Sequence, residues 1–129
     1  MLKSGILNPS INLLLSRVRH TNTLVIADRG FPFWPQIETV DISLTDDLPK
    51  VLHVLEAVRL NFIIGAAWMA EEFLQKNPRH VEAEFSRSLC GIRLAHEPHI
   101  ELKKRVPGAI GLIRTGDSTP YSNIVIESA

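Results

Sequence analysis

The sequence predicts an α/β fold in which helices cover both faces of a central, mostly parallel sheet. Short strand-like apolar segments alternate with amphipathic segments along the chain, an order typical of layered α/β domains. The chain has 129 residues, of which 45% are hydrophobic, enough for one domain with a real core but short for two. Since no repeat or linker divides it, we expect residues 1–129 to form one three-layer domain.

Four segments are predicted to be helices. The first begins at Asn8 and Pro9, a favourable pair of residues for a helix cap and first turn, and three of the segments repeat apolar residues three and four positions apart. The four segments are "NPSINLLLSRVR", "LPKVLHVLEAVRL", "NPRHVEAEFSRSL" and "PHIELKKRV".

Five short segments are predicted to be strands because they are apolar or alternate apolar with polar residues. They are Thr23–Ala27, Thr39–Leu44, "GIRLA", "AIGLI" and "NIVIE". The segment "NFIIGAAWMAEEFLQKN" is ambiguous, since its beginning favours a buried strand and its "AWMAEE" part favours a helix.

Composition narrows the function classes. The chain carries 14 basic and 14 acidic residues, which argues against nucleic-acid binding and mildly favours self-association. The single cysteine, Cys90, forms no intramolecular disulfide and suits a reducing cytoplasm. The longest apolar run, Phe62–Ala70, is about half of what a membrane span requires, and no signal peptide is recognisable. We therefore expect a cytoplasmic protein without a nucleic-acid or membrane partner.

No local motif for a nucleotide, a phosphate loop, a serine nucleophile or zinc is present. His96 and His99 lie three residues apart, but Pro98 separates them and no third ligand is nearby. Neither a metal nor a cofactor is therefore expected.

The stretch "HTNTLVIADRGFPFWP" places polar groups at both ends of a predicted strand. His20, before the strand, suits either a helix-capping residue or a catalyst. Asp28, after it, suits either a ligand-binding carboxylate or a partner for Arg29, although adjacent strand residues point to opposite faces.

A second polar stretch, "IRTGDSTPYSN", separates the last two predicted strands. Gly116, Asp117 and Pro120 are typical of a turn. A turn does not require Tyr121 and Asn123, whose alternating positions would direct both side chains to one face, where they would suit a sugar.

These stretches resemble a known family. "RHTNTLVIADRGFP" and "LIRTGDSTPYSNIVI", together with "KSGILN", "VDISLTDDLP", "AEEFLQKNP" and "HIELK", are similar to segments of the D-ribose pyranase and L-fucose mutarotase family. The likeness covers essentially the whole chain and is stronger to the ribose pyranase branch.

The resemblance implies a fold that assembles into rings, in better-known members a decamer of two stacked pentamers, with active sites between neighbouring subunits and without cofactor or metal. It implies acid/base interconversion of pyranose and furanose forms, or of anomers, of a monosaccharide such as D-ribose. It also implies that the stretch Phe62–Glu72 is a central strand.

The resemblance further assigns site residues. His20 matches the catalytic histidine and Asp28 the sugar-binding carboxylate. Since ring opening needs two proton transfers, we expect Tyr121 either to act as the second acid/base or to polarise the ring oxygen. The remaining matched sugar contacts are His99, Lys103, Tyr121 and Asn123, where His99 rather than His96 aligns without a gap.

Two features depart from the family pattern. Arg29 stands where ribose members carry a small residue, so it is a candidate contact to the substrate. Phe33 and Trp34 suit either the sugar pocket or a subunit interface. Two alternatives to catalysis stay open: a non-catalytic sugar-binding or transport-accessory protein, and a scaffold that binds a protein partner through this aromatic loop.

Overall fold

A six-stranded sheet forms the middle layer of the protein. The computed structural model describes residues 1–129. The strands are β1 (Thr23–Ala27), β2 (Glu38–Asp41), β3 (Ile64–Ala70), β4 (Arg93–Glu97), β5 (Gly111–Arg114) and β6 (Ile124–Ser128). They lie side by side in the order β2-β5-β1-β6-β3-β4.

Five of the six strands run in the same direction. β5 is parallel to β1 and β2, and β4 is parallel to β3, whereas β6 is antiparallel to both of its neighbours. The predicted mostly parallel sheet is therefore confirmed. Loops that follow β1 and β4 and the loop that precedes β6 consequently meet at one end of the sheet, where ligands of α/β folds commonly bind.

Five helices flank the sheet. They are α1 (Pro9–Arg17), α2 (Val51–Asn61), α3 (Glu71–Lys76), α4 (Arg79–Leu89) and α5 (His99–Arg105), the last followed by a 3-10 turn at Val106–Gly108. The four predicted helices are present, and Asn8 caps α1 by accepting a hydrogen bond from the Ile11 N–H over 3.0 Å. None of the helices has the length and apolar character of a membrane span.

The two faces of the sheet are buried against different helices. Side chains of α1, α2, α3 and α4 form a cluster of 18 buried residues with Leu24 and Ile26 of β1. A second cluster of 9 buried residues joins α5 and the 3-10 turn to Val25 and Ala27. Successive residues of a strand point to opposite faces, so the uninterrupted apolar run in β1 is explained by the two covering layers.

Several predicted boundaries were wrong, including the start of the strand predicted for "AIGLI", which is Gly111 and not Ala109. β2 ends at Asp41 instead of Leu44, because the Asp41 carboxylate accepts hydrogen bonds from the Ser43 N–H and hydroxyl and turns the chain. β4 begins two residues after Gly91, because Cys90 and Gly91 have φ values of 48° and 84° that end α4. The strand expected over Phe62–Glu72 is Ile64–Ala70, and α3 starts at Glu71. Within β3, pairing with β4 and β6 overrides the helix propensity of the Ala-Trp-Met-Ala sequence.

Candidate active site

A small cavity of about 210 Å³ opens where the loops after β1 and β4 and the loop before β6 meet. Its lining combines a carboxylate, an amide, an imidazole and a phenol with an aromatic ring and two loop residues. The lining residues are Asp28, Gly30, Phe31, Pro32, His99, Tyr121 and Asn123. Four of the sequence-predicted site residues thus lie together.

Asp28 and Asn123 are held to each other by two hydrogen bonds. The Asn123 side-chain oxygen accepts from the Asp28 backbone N–H over 2.7 Å, and its Nδ2 donates to Asp28 Oδ2 over 3.1 Å. Asn123 is only 2% exposed, so its amide has a fixed orientation. The antiparallel β1–β6 pairing that places these two strand ends together is a non-local feature of the fold.

The Asp28 carboxylate is partly removed from water. Burial raises its pKa above the usual value of 3.8, opposed mainly by hydrogen bonds from the Gly30 N–H and from Asn123. Arg29 does not neutralise it, since the Arg29 guanidinium binds Asp46 at 2.7 Å. The carboxylate therefore has acceptor capacity for hydroxyl groups of a ligand.

Arg114, the last residue of β5, fixes the loop that carries Asp28. Its guanidinium donates to the carbonyl oxygens of Asp28, Arg29 and Pro32 at 3.2, 3.3 and 3.1 Å. This role of Arg114 was not predicted from the sequence. The available signal was a charged residue at the end of an otherwise apolar strand, which does not reveal its partners.

His99 is the first residue of α5 and lies between two aromatic rings. Its ring meets Phe31 and Tyr121 edge-on, with centroid distances of 5.9 and 5.1 Å. Burial and the nearby Lys103 lower the pKa of His99 below 6.5. At neutral pH the imidazole is therefore uncharged. Its Nδ1 is buried, so Nε2 is the nitrogen that can donate to or accept from a ligand.

Tyr121 has a left-handed backbone, with φ of 56°, and Ser122 beside it is fully buried. The chain therefore enters β6 with Tyr121 and Asn123 on the cavity side and Ser122 turned into the protein. This matches the predicted common face of the two side chains.

His20 is not part of this cavity. It is exposed at the turn before β1, whereas Asp28 follows the opposite end of the same strand. The five residues of β1 span roughly 16 Å at about 3.3 Å per residue. Within one chain the two residues therefore belong to opposite ends of the sheet.

Lys103, Phe33 and Trp34 line a second, more open cavity of about 630 Å³ that shares Pro32 with the first. Phe33 is 70% exposed. Contacts of Lys103 and Arg29 with a substrate stay predictions, as does the choice between pocket and interface for Phe33 and Trp34. His96 lies on β4, and no group of three His, Cys, Asp or Glu side chains is arranged to hold a metal ion.

Comparisons with known proteins agree with the fold. The model of the "RbsD / FucU transport protein family" matches residues 1–129. D-ribose pyranase of Laribacter hongkongensis is 38% identical over 99% of this chain and 97% of its own length, and D-ribose pyranase of Geobacillus kaustophilus is 41% identical over 99% and 93%.

Among solved structures, Bacillus subtilis RbsD complexed with D-ribose superposes with a TM-score of 0.93 and 27% identity, over 100% of this chain and 98% of that one. Fucose mutarotase of Streptococcus pneumoniae, complexed with L-fucose, has the same fold, with a TM-score of 0.84 and 13% identity over 99% and 98% of the two chains. The full-length family match and the identities above 30% lead to one conclusion: this chain belongs to the RbsD / FucU family.

Proposed function

We propose that this protein is a sugar ring isomerase that interconverts the pyranose and furanose forms of D-ribose or a related free monosaccharide. The observation that carries the proposal is the cavity in which Asp28, His99, Tyr121 and Asn123 converge. It occurs in a chain that aligns over nearly its full length with D-ribose pyranases and shares its fold with an RbsD solved with D-ribose.

In the proposed complex the sugar is held by groups that complement its hydroxyls. The ionised Asp28 carboxylate accepts hydrogen bonds from two sugar hydroxyls. The neutral His99 and the Tyr121 hydroxyl each donate or accept one further hydrogen bond. Lys103, one helical turn after His99, contributes a donor at the rim. Charge-assisted bonds of this kind are about twice as strong as neutral ones and fix the ring in one orientation.

Ring opening requires two proton transfers. A base removes the proton of the anomeric hydroxyl, the carbonyl of the open-chain aldehyde forms, and the bond from C1 to the ring oxygen breaks as that oxygen receives a proton. Rotation about the C1–C2 bond, followed by attack of another hydroxyl on the carbonyl, closes a ring of different size. We assign the base to His20 and the acid to Tyr121, with the roles reversed on closure.

Because His20 lies at the far end of β1, the proposal requires that a neighbouring subunit supplies it. We propose that the protein forms rings, two stacked pentamers as a decamer, in which the exposed His20 turn of one subunit covers the cavity of the next. The exposure of His20 and the open mouth of the cavity support this arrangement. The exposed thiol of Cys90 suits a cytoplasmic location.

Exchange NMR on D-ribose tests the function. We expect the wild-type protein to accelerate magnetisation transfer between the pyranose and furanose anomeric signals. We expect His20→Ala to lower this rate by about 100-fold or more, the usual contribution of a general base, while ribose affinity is largely retained. His80→Ala, which removes an exposed histidine on α4, is the control.

The same experiment separates catalysis from binding alone. Sugar binding without catalysis is the second candidate function, because His20 is absent from the cavity of a single chain. A wild-type protein that binds ribose but leaves exchange at the buffer rate, for every reducing sugar tried, would be a sugar-binding protein and not an isomerase.

A further inference from the structure

A glutamate outside the cavity contacts the backbone of a site residue. Glu72 is the second residue of α3, and both of its carboxylate oxygens lie 3.1 Å from the His99 backbone nitrogen. α3 directly follows β3, and α5 follows β4, its parallel neighbour in the sheet. The contact therefore joins the two helices at the end of the sheet where the cavity opens.

His99 has no other hydrogen-bonded anchor from a neighbouring element. Its ring is placed by edge contacts with Phe31 and Tyr121, and its Nδ1 is buried without a hydrogen-bond partner in the chain. The first N–H groups of a helix have no partner within the helix. The carboxylate of Glu72 accepts a hydrogen bond from the His99 N–H and thereby fixes the backbone position from which the imidazole extends.

Charged groups approach His99 from each element around it. Asp28, in the loop after β1, and Glu72, on α3, favour the protonated imidazole, whereas Lys103 on α5 itself and burial disfavour it. Tyr121, before β6, contacts the ring edge-on. Glu72 thus offsets part of the effect of Lys103.

We propose that Glu72 is a positioning residue of the sugar site, which fixes His99 in register with Asp28 and Tyr121 by binding the first N–H of α5. This inference rests on the proposed function for its kinetic consequence. Glu71 provides the comparison: it carries the same side chain one position earlier in α3, is exposed, and makes no such contact.

The first test is a pH titration of the His99 imidazole by NMR in the ligand-free protein, with His99→Gln used to assign the signal. Glu72→Gln keeps an oxygen acceptor for the His99 N–H but removes the charge. We expect the pKa of His99 to fall below its wild-type value in Glu72→Gln and to stay unchanged in Glu71→Gln. Identical titrations in the two variants would overturn the inference.

The second test measures ribose binding by calorimetry and exchange kinetics by NMR. We expect Glu72→Ala to weaken ribose binding roughly tenfold, the loss of one charge-assisted hydrogen bond, with KM rising more than kcat falls. Glu72→Gln is expected to retain most of the affinity and Glu71→Ala all of it. Equal ribose affinities in Glu72→Ala and Glu71→Ala would contradict a positioning role.

The two proposals fail in different ways. A protein without ring-exchange activity would still report the role of Glu72 through ribose affinity and the His99 titration. Should Glu72→Ala not fold, as judged by circular dichroism, the comparison of the His99 titrations in Glu72→Gln and Glu71→Gln decides the matter by itself.

Discussion

Replacing Asp28 with asparagine is expected to lower kcat/KM for pyranose–furanose exchange of D-ribose by about 100-fold. The variant loses the charge that strengthens two hydrogen bonds to sugar hydroxyls, each worth about 1.5–3 kcal/mol. It also places an amide group opposite Asn123 Nδ2, which in the wild-type protein donates a hydrogen bond to Asp28 Oδ2. The measurement is exchange NMR over a range of ribose concentrations.

The same variant should not destabilise the protein through its charge. Burial raises the pKa of Asp28, so the stability that this group contributes is present below its unfolded value and is lost as pH rises through the folded one. At neutral pH the ionised carboxylate therefore stabilises the fold less than a neutral group would. Loss of activity together with near-wild-type thermal unfolding is the expected pattern, as is usual for groups kept for function.

Asp41→Asn is the matched control, because Asp41 is an exposed carboxylate at the end of β2 that does not line the cavity. Equal exchange rates for the Asp28 and Asp41 variants would show that the Asp28 carboxylate does not hold the substrate.

The largest expected effect on stability is that of Gly116→Ala. A Cβ atom at this buried position would lie 2.2 Å from the Thr45 carbonyl oxygen and 3.1 Å from that of Leu48. Both are backbone atoms, and Gly116 is hydrogen-bonded to two other residues of the same segment: its oxygen accepts from Asp47 N over 2.6 Å and its nitrogen donates to Pro49 O over 2.9 Å. We expect the free energy of unfolding to fall by about 3 kcal/mol or more, at the upper end for overpacking.

Displacement of the loop that contains Gly116 would also disturb the candidate active site. Asp117, the next residue, accepts the Val51 N–H at the start of α2 through its side chain and the Arg29 N–H through its carbonyl. Gly108→Ala is the control, since no atom lies within 4 Å of a Cβ at that position. Urea unfolding measures both, and a Gly116→Ala variant within about 0.5 kcal/mol of Gly108→Ala would contradict the close approach.

Local sequence patterns were sufficient to predict the layers of the fold. The segment Thr23–Ala27 was predicted to be a strand of a sheet covered on both faces, and Asn8 with Pro9 predicted the start of α1. Tyr121 and Asn123 were expected to share a face because of their spacing of two residues, and both line the cavity, although the backbone at Tyr121 is left-handed and not extended.

Contacts between segments that are distant in the sequence could not be predicted from such patterns. Arg114 and Glu72 are ordinary charged residues in the sequence, and their roles arise only when β5 lies beside β1 and β4 beside β3. The boundary between β3 and α3 was likewise set by strand pairing, against the propensity of the Ala-Trp-Met-Ala segment.

The relation between His20 and Asp28 illustrates the same point at the level of assembly. Both residues were singled out from one stretch of sequence, yet β1 separates them within a chain. The proposal that they act on one sugar therefore depends on contact between subunits.

Complementation between two inactive variants tests this central claim most directly. His20→Ala and Asp28→Asn are co-expressed with different tags, and oligomers that carry both tags are isolated. If neighbours share each site, random mixing pairs an intact His20 with an intact Asp28 at about one interface in four. We predict recovery of about a quarter of the wild-type exchange rate; mixed oligomers no more active than the average of the two variants would contradict a site shared between subunits.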